Sequence, residues 1–532
     1  MRSDVNIFIH RDKCFFCGIC VDRCIMDNLR MYLAPCRAAC PIHTNCQGYV
    51  RLIAQGKEEE AAKVLRSGLP FAGIIGRVCT APCEDRCERR KADNAPVHIR
   101  ALKRYLADNH PTIVHGQVPT ARGTGKHVAI VGAGPAGLMA AHDLAVQGHS
   151  VVVFDAASTP GGLLCWGVPA FRLPLAEVEK SVRLLEAMGI AFQTGQSLGK
   201  ELDVDKLERE WDAVLLATGA GSGARLGIPG EELPGVLDGL DLLRRARDGQ
   251  AITPGRSVVV IGGGNTAVDA ALTCCRLGAA QVTLVCLEAR NQMPAFAAEI
   301  AELLEEGREI RNGWGPRRIR MSGGQGLTID LSRCLRVFDE EGRFAPQLEE
   351  PIGLSLTADA VVVAIGQRRE LSGYPADLRP FSGSSIADPL TLQTKRPKVF
   401  VAGDALTGPR SVIEAMAQGQ EAAVSIDRLL SGETLRWGRA YWDGSCITEF
   451  PIDTSGAIPR SRATLPRRPI AARHLQAEVE ESMDHKVALE QAERCLNCGR
   501  PGEVNGTCWF CLPCEIECPV EALEVRMPYL VR

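Results

Sequence analysis

Two stretches of the sequence, 130 residues apart, carry one pattern: an apolar run that ends in closely spaced glycines. KHVAIVGAGPAG fills 126–137 and RSVVVIGGGNTA fills 256–267. A strand that feeds a glycine turn and then a helix opens a parallel βαβ unit. In the first stretch Gly132, Gly134 and Gly137 give G-x-G-x-x-G. The first glycine makes the turn, the second admits a pyrophosphate, and the third lets helix and strand pack. The helix N-terminus faces the phosphates with its partial positive charge. A further strand, SVVVFD, ends in Asp155, placed to bind ribose hydroxyls. In the second stretch Gly262, Gly264 and Ala267 give G-x-G-x-x-A, with Asn265 and Thr266 at the helix start. The fold class expected is α/β, with two Rossmann-like dinucleotide-binding domains in one chain.

A chain of 532 residues is too long for one core, so further domains are expected. The net charge of −3 and the lack of a long basic stripe argue against a nucleic-acid partner. The opening residues, MRSDVNIFIHRDK, lack the apolar core of a signal peptide. No apolar run approaches the ~20 residues that span a bilayer, so a soluble, cytoplasmic protein is expected. Of 22 cysteines, ten lie between Cys14 and Cys87 and six between Cys495 and Cys518. Dense cysteine at both ends of a large cytosolic chain points to metal, not disulfides.

Cys14, Cys17, Cys20 and Cys24 are spaced C-x2-C-x2-C-x3-C, and so are Cys508, Cys511, Cys514 and Cys518. This is the spacing of bacterial ferredoxin clusters, and the two runs resemble ferredoxins. Zinc sites instead pair C-x2-C steps across a long gap. In two-cluster ferredoxins the fourth cysteine of each run binds the other cluster. Two arrangements stay open. Either the ends fold together and exchange Cys24 and Cys518, or each run closes on its own fourth cysteine.

Between Cys24 and the first glycine loop lies a second cysteine module, with helical apolar spacing from Val50 to Arg66. It resembles the α-helical iron–sulfur domain of the glutamate synthase small subunit and of dihydropyrimidine dehydrogenase. Cys36 and Cys40 match that family's C-x3-C-P, and Cys79, Cys83 and Cys87 match its return motif. The resemblance assigns Cys40, Cys79 and Cys83 to one cluster, and Cys36 and Cys87 to another. The family's C-x2-C before Cys36 is absent, so the second cluster needs thiolates from Cys20 and Cys24 or from Cys46. The first lacks a fourth thiolate. Lys103 falls where the family places a non-cysteine ligand, and is a poor one. Cys46 itself reads as a buried apolar thiol. Cys495 and Cys498 either lend a thiolate to the C-terminal cluster or stabilise their loop. The total expected is about three to four 4Fe-4S clusters.

Other segments resemble the same glutamate-synthase-like family. GGLLCWGVPAFRLP (161–174) carries Gly162, Leu163 and Arg172; VFVAGDALTGPRSVIEAMAQGQEAA (399–423) carries Gly403, Asp404 and Val412. LLATGA (215–220) and VVVAIG (361–366) match the crossovers on either side of an inserted nicotinamide domain. The resemblance implies FAD on the first unit, touched by those six residues, and a nicotinamide on the second. The expected domains are a ferredoxin-like iron–sulfur segment, 1–33, and an α-helical iron–sulfur domain, 34–120. An FAD domain, 121–250 with 367–431, encloses an NAD(P) domain, 251–366. A linker, 432–494, with a Pro/Arg-rich run, leads to a ferredoxin-like module, 495–532. A disulfide reductase is the weaker reading, because Cys165 has no nearby partner and adjacent Cys274 and Cys275 close a disulfide only with strain.

Relatives that use NADPH show arginines after the second strand of the nicotinamide unit. Here the frame reads CLEARNQMPA, with Glu288 in place of the second arginine and Arg290 remaining. A carboxylate accepts from a free 2′-hydroxyl and repels a 2′-phosphate, so NAD(H) is favoured over NADP(H). The expected function is a subunit passing electrons between NAD(H) and another subunit of a redox complex, or a ferredoxin-type protein, through FAD and clusters. An NADPH-dependent glutamate synthase small subunit and a non-catalytic electron-transfer scaffold are the alternatives. No side chain is required as a catalyst.

Overall fold

A computed structural model describes residues 6–25, 28–111, 121–323, 326–379, 385–439, 446–504 and 508–526. The expected domain edge at 120 lies outside them. The two glycine stretches open two separate five-stranded parallel sheets. The first runs Val399–Val401, Ala213–Leu216, His127–Val131, Ser150–Asp155, Ala191–Thr194 from edge to edge. Val128 to Val131 are buried on both faces, as a sheet covered by helices requires. The second runs Glu309–Asn312, Gln281–Cys286, Ser257–Ile261, Ala360–Val363, Val236–Asp238.

The last of these strands departs from expectation. Val236–Asp238 falls within 121–250, yet it pairs with Ala360–Val363 in the second sheet. Leu226, Ile228 and Leu233 lead into it and pack on that unit's core, which draws the strand across. The second unit also carries an antiparallel sheet of Trp314–Met321, Leu327–Phe338, Phe344–Leu348 and Leu354–Ala358.

The helical cysteine module and the first unit share one core. Cys40, Cys83, Ile74 and Leu102 belong to it, and so do Ala136, Met139, Ile413 and Met416. Helix Val412–Leu430 crosses helix Pro135–Val146 backbone to backbone. A Cβ on Gly419 would lie 2.1 Å from the Ala136 carbonyl oxygen.

The two ends of the chain meet. Strand Ile7–Ile9 pairs antiparallel with Leu523–Val525, and Leu29–Tyr32 sits between Cys446–Ile447 and Arg500–Glu503. The stretch expected as a linker is a staple. Arg77 binds Glu478, Asp108 and Glu177, and Arg100 binds Glu480, which ties the helical module to the first unit. Arg467 and Arg473 reach Glu302, Glu305 and Glu306 on the second unit. His98 Nε2 donates to the Ala463 carbonyl at 2.8 Å. Among the described residues, no helix is long and apolar enough to cross a membrane.

Candidate functional site

The first glycine loop is shaped as its spacing demands. Gly132 has φ +112, and a Cβ there would sit 2.2 Å from the Ala217 carbonyl oxygen. A Cβ on Gly137 would strike the Gly132 oxygen at 1.9 Å. Gly134 differs: it has ordinary φ of −74 and faces open space. Two glycines are therefore required by the protein's own packing, and the middle one leaves room in front of the helix N-terminus. Asp155 closes the loop from the next strand, accepting from the Ala133 and Ala157 amides at 2.6 and 2.8 Å. Gly162 approaches Gly134, so Leu163 begins beside the loop.

From the return segment, the Gly403 amide donates to Gln418 at 2.8 Å, and Asp404 accepts from the Arg410 amide at 3.1 Å. Burial pushes the Asp404 carboxyl up to about 6. Val412 opens the long helix behind a Ser411–Glu414 capping box. Arg172, expected at the FAD, also reaches the second unit. It binds Asp269 at 2.8 Å and Glu299, both on the second unit. One buried and one half-buried carboxylate hold its guanidinium, so the residue links the two units.

The second loop repeats the first. A Cβ on Gly262 would meet the Ala364 oxygen at 2.2 Å, Ala267 is fully buried, and Gly264 faces open space. Glu288 lays its carboxylate against Gly263, whose added Cβ would lie 2.5 Å from Oε2. The loop after it is pinned to the same turn. The Ala295 amide donates to the Gly263 carbonyl at 3.1 Å, and the Phe296 amide to Asn265 at 2.8 Å. Thr266 lies in the first turn of the helix that follows. Arg290 has its guanidinium 3.8 Å from the Met293 sulfur. A cleft of about 1260 Å³ runs between the units, from Ala156 and Trp166 to Gly221, Arg247 and Arg368.

Sixteen cysteines gather in two regions where the chain ends and the helical module meet. Cys14 packs with Cys518, and burial and the thiols of Cys17 and Cys518 push it up to about 11. Cys20 is raised by burial and by Cys17, Cys14 and Cys518. Cys24 lines one pocket with Cys508, Cys511 and Cys514. Each fourth cysteine thus lies with the other run, the exchanged arrangement of the two left open by the sequence. Backbone amides point at Cys14, Cys24, Cys79 and Cys518 at 3.1–3.4 Å.

In the helical module, Cys36, Cys87, Cys495 and Cys498 line one cavity, with Cys46 on its wall. The pair from RCLNCG therefore joins Cys36 and Cys87, not the C-terminal run. Arg494 holds it there. Fully buried, Arg494 donates to the carbonyls of Pro96, Ala95 and Arg460 at 2.8–3.1 Å and binds Asp93. Gln47 donates to the Gly499 carbonyl at 2.8 Å on the other side. Only the arginine before the first cysteine signalled this in sequence, and its partners lie about 400 residues away. Among the described residues no group of three or more His, Cys, Asp or Glu closes on a single metal ion. A cubane is larger than a single ion.

Comparison with known proteins fits this geometry. Residues 126–419 match the family model "Pyridine nucleotide-disulphide oxidoreductase", and 14–113 match the dihydropyrimidine dehydrogenase domain II, 4Fe-4S cluster model. The NADP(+)-dependent formate dehydrogenase subunit beta of Moorella thermoacetica is 35% identical, over 88% of this chain and 71% of that protein. The NAD-dependent dihydropyrimidine dehydrogenase subunit PreT of Escherichia coli O157:H7 is 34% identical, over 75% and 92%. The glutamate synthase [NADPH] small chain of Azospirillum brasilense is 31% identical, over 74% and 85%.

Proposed function

Since the chain belongs to the pyridine nucleotide-disulphide oxidoreductase family, in its glutamate-synthase-like iron–sulfur branch, we propose that it is an electron-transfer subunit. It passes electrons between NAD(H) and a partner redox subunit or protein, using FAD and 4Fe-4S clusters. The observation that carries this reading is the shared core. Cys40 and Cys83 stand in the same packed interior as Ala136, one residue before the third glycine of the first loop. A flavin on that loop and a cluster on those thiols would be held by one rigid body.

The residues fit the groups assigned to them. Gly134 and Gly264 leave open space before two helix N-termini, and Asp155 and Glu288 stand at the ribose ends. The four thiol groups offer soft ligands with amides aimed at several sulfurs, the setting that tunes iron–sulfur potentials. We assign Cys14, Cys17 and Cys20 with Cys518, and Cys508, Cys511 and Cys514 with Cys24. Cys36 and Cys87 go with Cys495 and Cys498, and Cys40, Cys79 and Cys83 form the last site. When bound, the flavin exchanges a hydride with the nicotinamide and the clusters move single electrons. The chain itself orients and insulates: Arg172, Asp269 and Glu299 fix the two units against each other, and the staple fixes the helical module to both.

Glu288 selects NAD(H). The Moorella and Azospirillum relatives are named for NADP(H) and the Escherichia one for NAD, so the choice rests on this carboxylate. The glutamate synthase small-subunit reading lacks the leading arginines and has no use for the paired end runs. The scaffold reading leaves two intact cradles without purpose. Dense cysteine read as metal ligands rather than disulfides supports a cytoplasmic setting. The test is anaerobic mixing of the FAD-loaded protein with each nicotinamide. NADH should bleach the flavin's visible absorption quickly and NADPH slowly. If neither does, the enzyme reading is lost.

A further inference from the structure

We infer that Cys46 is the fourth thiolate of the cluster site formed by Cys40, Cys79 and Cys83, and that Lys103 is the buried cation of that site. The inference rests on the iron–sulfur reading above, and begins with a count. The helical module's two groups share eight cysteines: Cys36, Cys87, Cys495 and Cys498 form a complete set of four, Cys40, Cys79 and Cys83 a set of three, and Cys46 is left. A cubane takes four ligands. Cys46, 1% exposed, touches both Cys36 and Cys83 and stands between the sets. Only the set of three has a vacancy for it.

The backbone fixes Cys46 in that place. Asn45 caps the helix Cys46–Ala54 by accepting from the Gly48 amide at 3.0 Å. Its Nδ2 donates to the carbonyls of Phe15 and Phe16, in the loop between Cys14 and Cys17. Gly48 is pressed against the same loop, since a Cβ there would be 2.6 Å from the Phe15 oxygen. Tyr49 then ties the helix to the one that carries Lys103, donating to the Ile99 carbonyl at 3.0 Å. Helix Ala72–Val78, which ends at Cys79, packs on that same helix so closely that a Cβ on Gly76 would lie 2.7 Å from Arg104 Cα.

Lys103 supplies the second, independent observation. It is 2% exposed, and the groups that act on it are Cys79, Cys83, Cys46 and Cys40. Glu84, the carboxylate that feels it, is already bound to Arg462 and to the Arg100 amide. A buried ammonium without an anion costs several kcal/mol. Neutral thiols do not supply that anion. Four metal-bound thiolates do, because coordination deprotonates a thiol outright. The cation and the ligand set therefore explain each other. The charge also has a direction: it favours the more negative, reduced state of this cluster over the others.

The test uses the full chain purified anaerobically, with FAD content as the check on folding. Cys46→Ser should retain FAD, lose about a quarter of the iron and acid-labile sulfide, and lose one electron-paramagnetic-resonance signal. Full iron with an unchanged spectrum overturns the assignment. If Cys46→Ser does not fold, Lys103→Met decides. It should keep the iron and shift one cluster to lower potential, while Lys103→Arg restores it. No shift in Lys103→Met overturns the inference. Wild-type protein without iron and labile sulfide sinks the iron–sulfur reading itself, and no variant is needed to see that.

Discussion

Glu288 rests its carboxylate on Gly263 as Asp155 rests on Ala133: in both units an acid at the end of the second strand, or two residues past it, touches the middle of the glycine turn. The two nucleotide cradles are thus closed by the same device, one with a backbone hydrogen bond and one against a residue without a side chain. Glu288→Ala should lower kcat/KM for NADH by roughly 10- to 150-fold, the worth of a charged hydrogen bond at about 1.5–3 kcal/mol. The value for NADPH should hold or rise. Stopped-flow flavin reduction with both nucleotides measures the split, and an equal loss for both would remove Glu288 from ribose selection.

Gly134 and Gly137 separate binding from folding. Gly134→Val meets open space and an ordinary φ, so the apoprotein should unfold at the wild-type temperature yet retain little FAD. Gly137→Val must displace the Gly132 backbone, and should destabilise by about 1–3 kcal/mol or more. Thermal unfolding with and without added FAD distinguishes the two.

The exchange of fourth cysteines predicts a crossed phenotype. Cys518→Ser should damage the cluster of Cys14, Cys17 and Cys20 while sparing the one built on Cys508, Cys511 and Cys514. Cys24→Ser should do the reverse. Redox titration followed by electron paramagnetic resonance reads which signal is lost. Loss of the same-run signal in each variant would restore the unexchanged arrangement.

His98 makes the staple sensitive to acid. Burial, with the neighbouring arginines, holds its imidazole down at about 4. Its folded pKa lies below the unfolded value of about 6.5, so its contribution is complete above that and is lost as pH falls toward 4. The loss amounts to about 3 kcal/mol. Proteolysis within 458–469 should therefore rise between pH 6.5 and 4 in the wild type. His98→Gln, still a donor to Ala463 but without a charge to gain, should lack that step.

What could be read from the sequence was chemistry with a short reach. The glycine turns and the acids at the strand ends are each complete within about thirty residues, because the ligand they face is local. The C-x2-C-x2-C-x3-C runs announce their chemistry in an equally short span, but not which run supplies each fourth thiol. The partners of Cys495 and Cys498 were illegible for the opposite reason. Their site closes across roughly 400 residues, and Arg494 reads its address from backbone carbonyls, which leave no sequence pattern. The ion pairs of Arg172 were illegible for a similar reason: its motif fixes its position in the chain, whereas the two carboxylates that hold it belong to the other unit. The strand Val236–Asp238 changed sheets because apolar residues before it found a different core.

The pairing of the two chain ends sets a timetable for synthesis. Cys518 leaves the ribosome 504 residues after Cys14. At the usual ~5–20 residues per second, that is roughly 25–100 s during which the first run has three thiolates and no fourth. Iron delivered earlier would meet an incomplete site exposed to solvent and oxygen. Closure of that first site must therefore wait for Cys518, and a chain stopped before that residue yields a flavoprotein whose terminal relay is never closed.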